Sequence, residues 1–299
     1  MKKAFAQSGY FMALLATVVW SGNFIVARGL SEVYTPISIA FFRWLIATIV
    51  VFPFALPYLR RDYKLLLAQW RLILILSFIG VTLFNTLIYL AAHFTSALNL
   101  SLFAITAPLY VVILNRIVFR EQLSIRQIVG FIILISGLLV LLSKGDPTTL
   151  LQLKFNKGDL LMAIAASIFG TYSVLVKLKN PSIGNLSFVS ATFILGELML
   201  LPFFIGEQLL FTPEISFDAN HIIQLLYIGI GPSIISFYLW NKSIISIGST
   251  KAATIYNMLP VFSAFFGILI LNEPILVAQL ISAIIIVIGV LLVIRSNRT

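Results

Sequence analysis

The chain has 299 residues, 60% hydrophobic and 10% charged, with a net charge of +10 and a mean hydropathy of +1.07. A water-soluble domain carries about a quarter charged residues, so most of this surface must meet lipid. Two histidines and no cysteine exclude a disulfide scaffold and leave little for metal or thiol chemistry.

A membrane-spanning helix needs about 20 mainly apolar residues to cross a hydrocarbon layer about 30 Å thick. Ten runs meet that requirement, near 8–28, 36–56, 71–92, 96–117, 124–143, 158–178, 184–205, 221–241, 248–270 and 275–295. They predict an all-α integral membrane protein with no room for a soluble domain. The first run follows Lys2 and Lys3 as a signal peptide would. It is longer than a signal's apolar core and no small-residue cleavage site closes it, so it is predicted to stay as the first helix.

Polar and aromatic residues inside these runs are the site candidates, because an ionisable side chain at mid-membrane costs roughly 2.5–3.5 kcal/mol on insertion scales. The first run offers Trp20 and Asn23. The second carries Arg43 about seven residues in, roughly 10 Å from its end at helical rise, able to draw a substrate carboxylate or to pair within the protein. Asn85 and Tyr89 follow on the third run. On the fourth, Asn99, Phe103, Thr106 and Tyr110 recur at helical spacing, a stripe that should face a cavity or another helix rather than lipid. Tyr172 lies on the sixth run. Mid-way along the seventh, Glu197 either pairs with Arg43 or acts as a proton site. Ser236, Tyr238, Trp240 and Asn241 are on the eighth. The ninth opens on Lys251, with Thr254 and Met258 on one face and Asn257 beside it. Aromatics carrying one polar atom suit a site that stacks an apolar ligand group and orients its other end. Trp20 and Tyr89 are better candidates than Trp44, Trp70 or Trp240, since many membrane aromatics form interfacial belts. His93 is expected to face a surface turn. Pro108 and Pro260 interrupt the fourth and ninth runs as hinges or as tolerated kinks.

Charge sets orientation. With both termini inside, the inside segments hold fourteen of the twenty lysines and arginines. They include Arg60, Arg61 and Lys64, Arg116, Arg120 and Arg126, Lys177 and Lys179, and Lys242. The outside segments hold only Arg28, Lys144, Lys154 and Lys157. This asymmetry predicts an N-in, C-in topology and accounts for the basic balance without a nucleic-acid partner.

The two halves echo each other. Pro108, Glu121, Gln127 and Gly137 match Pro260, Glu273, Gln279 and Gly289 at a shift of 152 residues. At a shift of 149, Trp20, Arg28, Pro53, Gly80 and Tyr89 match Phe169, Lys177, Pro202, Gly229 and Tyr238. Residues 1–147 and 148–299 thus read as two five-helix repeats. An odd number of spans per repeat inverts the second copy, the arrangement of many secondary transporters, which bind substrate near the midplane between the halves. Glu121 and Glu273 are expected at tight turns, accepting N–H groups at a helix start, with Pro274 at the first helical position.

The stretch "ALNLSLFAITAPLYVVILNRIVFREQLSIRQIVGFIILISGLLVLL" and its counterpart "GSTKAATIYNMLPVFSAFFGILILNEPILVAQLISAIIIVIGVLLVI" resemble the EamA family of the drug/metabolite transporter superfamily. So do "VVWSGNFIVAR" and "PISIAFFRWLIA". The resemblance implies a multi-pass protein of the bacterial inner membrane that moves small metabolites, and Arg43 is part of it. The aromatic richness is similar to that of exporters of aromatic or large neutral amino acids. The expected function is a secondary transporter moving such solutes out of the cytoplasm by alternating access. The expected partners are a small-molecule substrate, the bilayer, protons as an optional coupling ion, and for assembly a monomer or homodimer. Proton-coupled efflux of cationic drugs, a lipid-linked-sugar carrier or another metabolite carrier are the alternatives. No nucleophile–base set, metal-ligand motif or P-loop points to an enzyme, a cofactor or ATP hydrolysis.

Overall fold

A computed structural model of the chain describes residues 2–143, 145–146, 148, 156–211, 218–271 and 277–295. Glu273 and Pro274, and with them the second of the two predicted acidic turns, lie outside the described residues. In lipid no water satisfies a backbone group, so a spanning segment must bond internally, and among the described residues the chain is helical with no strand. In order come α1 (Lys2–Leu30), α2 (Pro36–Ala68), α3 (Trp70–Ala92), α4 (Ala97–Ala104 and Ala107–Phe119), α5 (Ile125–Ser143) and α6 (Lys157–Leu175). Then follow α7 (Asn185–Phe211), α8 (Ala219–Ile247), α9 (Ser249–Tyr256 and Leu259–Leu271) and α10 (Val277–Ile294). Eight helices among the described residues are long and apolar enough to cross a membrane, and Ile125–Leu141 is a shorter apolar helix.

The helix starts follow local chemistry. Pro36 opens α2 behind Thr35, where its missing N–H is no loss. Ser96 accepts the Asn99 N–H at 3.2 Å, and Asp218 accepts that of His221 at 2.8 Å. Asn156 and Asp159 close a reciprocal capping box at the start of α6. Ser124 and Gln127 bond each other's backbone N–H at α5, while Glu121, expected as that helix's cap, takes an ion pair from Lys177 at 2.8 Å.

The second helix outruns its predicted end near 56, passing Pro53 and Pro57 to reach Ala68. Asp62 anchors this extension. Buried at 3% exposure, it accepts the Gly184 N–H at 2.9 Å and the Ser187 hydroxyl at 2.6 Å. Segments carrying the predicted inside charges meet here: Gln69 accepts the Asn180 N–H, and Asn115 donates to Ser249.

Irregularities recur in both halves. A π-helical turn interrupts α3 at Phe78–Leu83 and α8 at Gly229–Ile235. The first piece of α4 ends at Ala104 and that of α9 at Tyr256, four residues before Pro108 and Pro260. A proline removes one backbone bond and its ring collides with the carbonyl four residues earlier, so both breaks fall where the prolines require them.

Each major packing pair takes one helix from each half: α1 with α8, α2 with α7, α3 with α6, and α5 with α10. Glycine permits the closest of these approaches. A Cβ on Gly289 would stand 2.7 Å from the Leu134 backbone nitrogen, and one on Gly80 would enter the Tyr172 ring. Without water to drive apolar association, such small-residue contact and interhelical hydrogen bonds hold membrane helices together. The α5–α10 pair turns Ile132 and Ile284 outward, each 62% exposed, while the aromatic core lies among α1, α2, α3, α6, α7, α8 and the first piece of α9.

Candidate functional site: a buried arginine beside an aromatic box

Arg43, in the second turn of α2, is 1% exposed. Its Nε donates to Ser233 Oγ at 2.7 Å, and its Nη1 donates to Tyr89 OH at 2.8 Å and to Asn23 Oδ1 at 3.1 Å. Four helices therefore converge on one guanidinium. The π turn of α8 presents Ser233, whose hydroxyl donates in turn to the Ile228 carbonyl at 2.8 Å. Among the described residues no carboxylate lies within ion-pair distance of Arg43. A desolvated cation satisfied only by neutral acceptors is expensive to keep.

Beside it, Trp20 stands at the centre of an aromatic box. Its ring meets Trp240 at 5.2 Å, Phe169 at 5.4 Å, Tyr256 at 5.7 Å and Phe237 at 5.8 Å between centroids, in the edge-on geometry that aromatic quadrupoles favour. Its indole N–H donates to the Pro232 carbonyl at 2.8 Å, a carbonyl within the π turn. Trp44 lies under the arginine, 5.2 Å from guanidinium carbon to ring centroid. Asn85 donates to Gly80 O at 3.0 Å, so it too is held by a π turn. Arg43, Trp20, Asn23, Asn85, Phe169 and Tyr256 border a cavity of only about 10 Å³, the room of about one water. The centre is closed.

Five sequence candidates, Trp20, Asn23, Arg43, Asn85 and Tyr89, meet at this point. Tyr172 sits next to it, donating to Asn241 Oδ1 at 3.1 Å. The others do not join them. Asn99, Phe103, Thr106 and Asn257 border an apolar groove of about 300 Å³ along α4 and α5, with Asp159 at its rim. Tyr110, on their predicted stripe, instead packs against Gly170 of α6. Thr254 is buried and bonds the Thr250 carbonyl. Tyr238 is half-buried, its carbonyl held by Asn185. Lys251 lies at one end of the bundle, its Nζ 3.3 Å from Tyr10 OH.

Glu197 does not pair with Arg43. It is buried at 8% exposure, and among the described residues neither carboxyl oxygen has a hydrogen-bond partner. Glu207, further along α7, was not among the sequence candidates. It is equally buried and accepts from Thr35 and Ser38 at the start of α2. His93, half-buried, makes contacts with the Tyr89 and Tyr34 carbonyls. Sequence reasoning also missed Ser233 and undervalued Trp44 and Trp240, both fully buried, while Trp70 is 52% exposed as an interfacial residue would be. The match of Trp20 with Phe169 between repeats was the one signal for the box, since those two rings touch.

A bundle of long apolar helices with a polar centre enclosed between its halves defines a multi-pass membrane protein of the transporter class. The chain belongs to the EamA-like transporter family, whose model matches residues 7–143 and again 156–295. It is 26% identical to an uncharacterised transporter of Archaeoglobus fulgidus, over 88% of this chain and 89% of that protein. It is also 26% identical to the uncharacterised transporter YyaM of Bacillus subtilis, over 73% and 71% of the two chains. The WAT1-related protein At3g02690, chloroplastic, of Arabidopsis thaliana is 25% identical over 92% of this chain and 66% of its own. A crystal structure of a protein 17% identical in sequence shares the fold, with a TM-score of 0.73 over 96% of each chain.

Proposed function

We propose that this transporter carries small metabolites, foremost amino acids with aromatic or large neutral side chains, out of the cytoplasm by alternating access. The observation that carries this reading is Arg43, fully buried, bonded only to neutral groups and flanked by an aromatic box. A guanidinium can take a carboxylate through two parallel bonds, while the rings receive an apolar side chain. Asn23, Asn85 and Tyr89 would orient the remaining polar end. Asn99, Phe103, Thr106, Tyr172, Tyr238, Lys251, Thr254 and Asn257 would contact the solute along its path.

A cavity of about 10 Å³ cannot hold an amino acid, so loading requires the halves to part. In this reading residues 1–147 and 148–299 are two inverted five-helix repeats, ten spans in all, with both termini in the cytoplasm. The breaks before Pro108 and Pro260 are the hinges. The protein works in a bacterial inner membrane, as a monomer or homodimer, and direction follows the solute gradient.

The unpartnered Glu197 carboxyl favours a second reading, in which it carries a coupling proton and the solute is a cationic drug. Counterflow in proteoliposomes separates the two. Uptake of labelled phenylalanine or leucine that is lost in Arg43→Gln and kept in Glu197→Gln supports amino-acid transport. Movement of a cationic dye alone, lost in Glu197→Gln, would sink it in favour of the second.

A further inference from the structure

A second cationic feature lies away from Arg43. A cavity of about 630 Å³ opens at the end of the bundle where α6 and α8 finish and α9 begins, and Lys177, Lys179, Lys242 and Lys251 all border it. A neighbouring cavity of about 330 Å³ shares Lys251 and adds Arg120 and Glu121. Their charges are unequally engaged. Lys177 is neutralised by Glu121 at 2.8 Å. Lys179 donates to the Ile183 carbonyl at 2.6 Å, and the nearby Asp62 is committed to Arg61, Ser187 and Gly184. Lys242 stands 5.7 Å from the Tyr238 ring centroid, and Lys251 donates to Tyr10 OH at 3.3 Å. Among the described residues no carboxylate lies within ion-pair distance of Lys179, Lys242 or Lys251.

The two loosely engaged ammonium groups of Lys242 and Lys251, beside the carbonyl-bonded Lys179, focus a positive potential along one concave wall. Ammonium groups bind phosphate as point charges, and basic pockets between membrane helices take lipid phosphates at their cytoplasmic ends. The other wall is apolar, with Pro181, Ile247 and Ile245, the last 47% exposed. We propose that this cavity is a binding site for a phosphate-bearing anion, distinct from the Arg43 centre, with Lys242 and Lys251 as its principal contacts. The apolar wall suits a glycerophospholipid headgroup with its chains along α8, and the same lysines suit a soluble phosphate compound. This site stands whether or not amino acids are the solute, since its test reads binding and not transport.

The test uses the full chain in phosphatidylcholine nanodiscs. In one arm pyrophosphate is titrated while the unfolding temperature is followed. In the other the discs are prepared with increasing phosphatidylglycerol. A rise in the first arm alone identifies a soluble phosphate ligand, and a rise in the second alone identifies a lipid headgroup. In either arm the double variant Lys242→Gln, Lys251→Gln should need about thirtyfold more ligand, from about 1 kcal/mol per lysine. Lys64→Gln with Arg71→Gln, an equal charge loss outside the cavity, should match the parent. Lys242→Gln alone, with a loss of about fivefold, serves if the double variant does not fold. No rise in either arm, or rises that the cavity variants leave unchanged, would overturn the proposal.

Discussion

The protein holds its positive charge in two opposite ways. Arg43 is 1% exposed, bonded on three sides and enclosed in about 10 Å³. Lys251 is half-buried, bonded once and placed where cavities of about 330 and 630 Å³ meet. Both lack a carboxylate partner among the described residues, yet their surroundings decide different uses. In a low-dielectric centre a fixed guanidinium interacts strongly and is hardly screened. At an open mouth the same unit charge is reached directly from solution, is screened, and yields to salt. In the proposed function the first arrangement selects and the second gathers.

The comparison can be broken in order of expected effect. Trp20→Ala removes the ring that four others meet and should cost about 3–5 kcal/mol of stability, seen as a fall in the unfolding temperature in detergent or nanodiscs. If Trp20 were peripheral, the change would be small. Arg43→Gln should cut transport about 10–100-fold, as expected for a charge-assisted bond worth about 1.5–3 kcal/mol, and added salt should not restore or mask the difference. Arg43→Lys should recover little, because an ammonium cannot reproduce three directed bonds to Ser233, Asn23 and Tyr89. Lys251→Gln should have a smaller effect on transport, several-fold at low salt. It should fade near 1 M salt, where the Debye length is about 3 Å. A salt-independent loss at Lys251 would place it with Arg43 and end the distinction. Smallest of all, Glu121→Gln breaks a half-buried pair with Lys177 and should change stability by no more than about 1 kcal/mol, while freeing a fourth ammonium for the mouth. Anion binding there should then tighten, measurable in the pyrophosphate titration.

Much of the bundle was legible because each span is decided locally. Twenty apolar residues in lipid have helix as their available answer, whereas the caps at Ser96, Asn156 and Asp218 came only from the structure. The prolines were legible for the same reason, but their consequence was not. The break after Ala104 resets the helical phase, so Tyr110 leaves the face of Asn99, Phe103 and Thr106 and packs on Gly170. On α9, Lys251 and Asn257 likewise part, one to the mouth and the other to the apolar groove. Helical spacing is a guide only within an unbroken helix.

The site divides along the same line. Sequence alone determined that the chain is a helical membrane protein with a recurring half, and that Arg43, Trp20, Asn23, Asn85 and Tyr89 deserved weight, because polar groups in long apolar runs are costly and therefore informative. Only the tertiary structure decided which partners they take. Arg43 could have met Glu197, and sequence placed that pair first. Instead the π turn of α8 brings Ser233 to the guanidinium, while among the described residues Glu197 has no hydrogen-bond partner. Trp44 and Trp240, undervalued in the sequence, are core rings, Trp240 because α8 runs past its predicted end and Trp44 because it packs on Phe193 and Phe237. Partners more than a hundred residues apart meet through helix rotation and irregular turns, and neither is encoded in the spacing of any one segment.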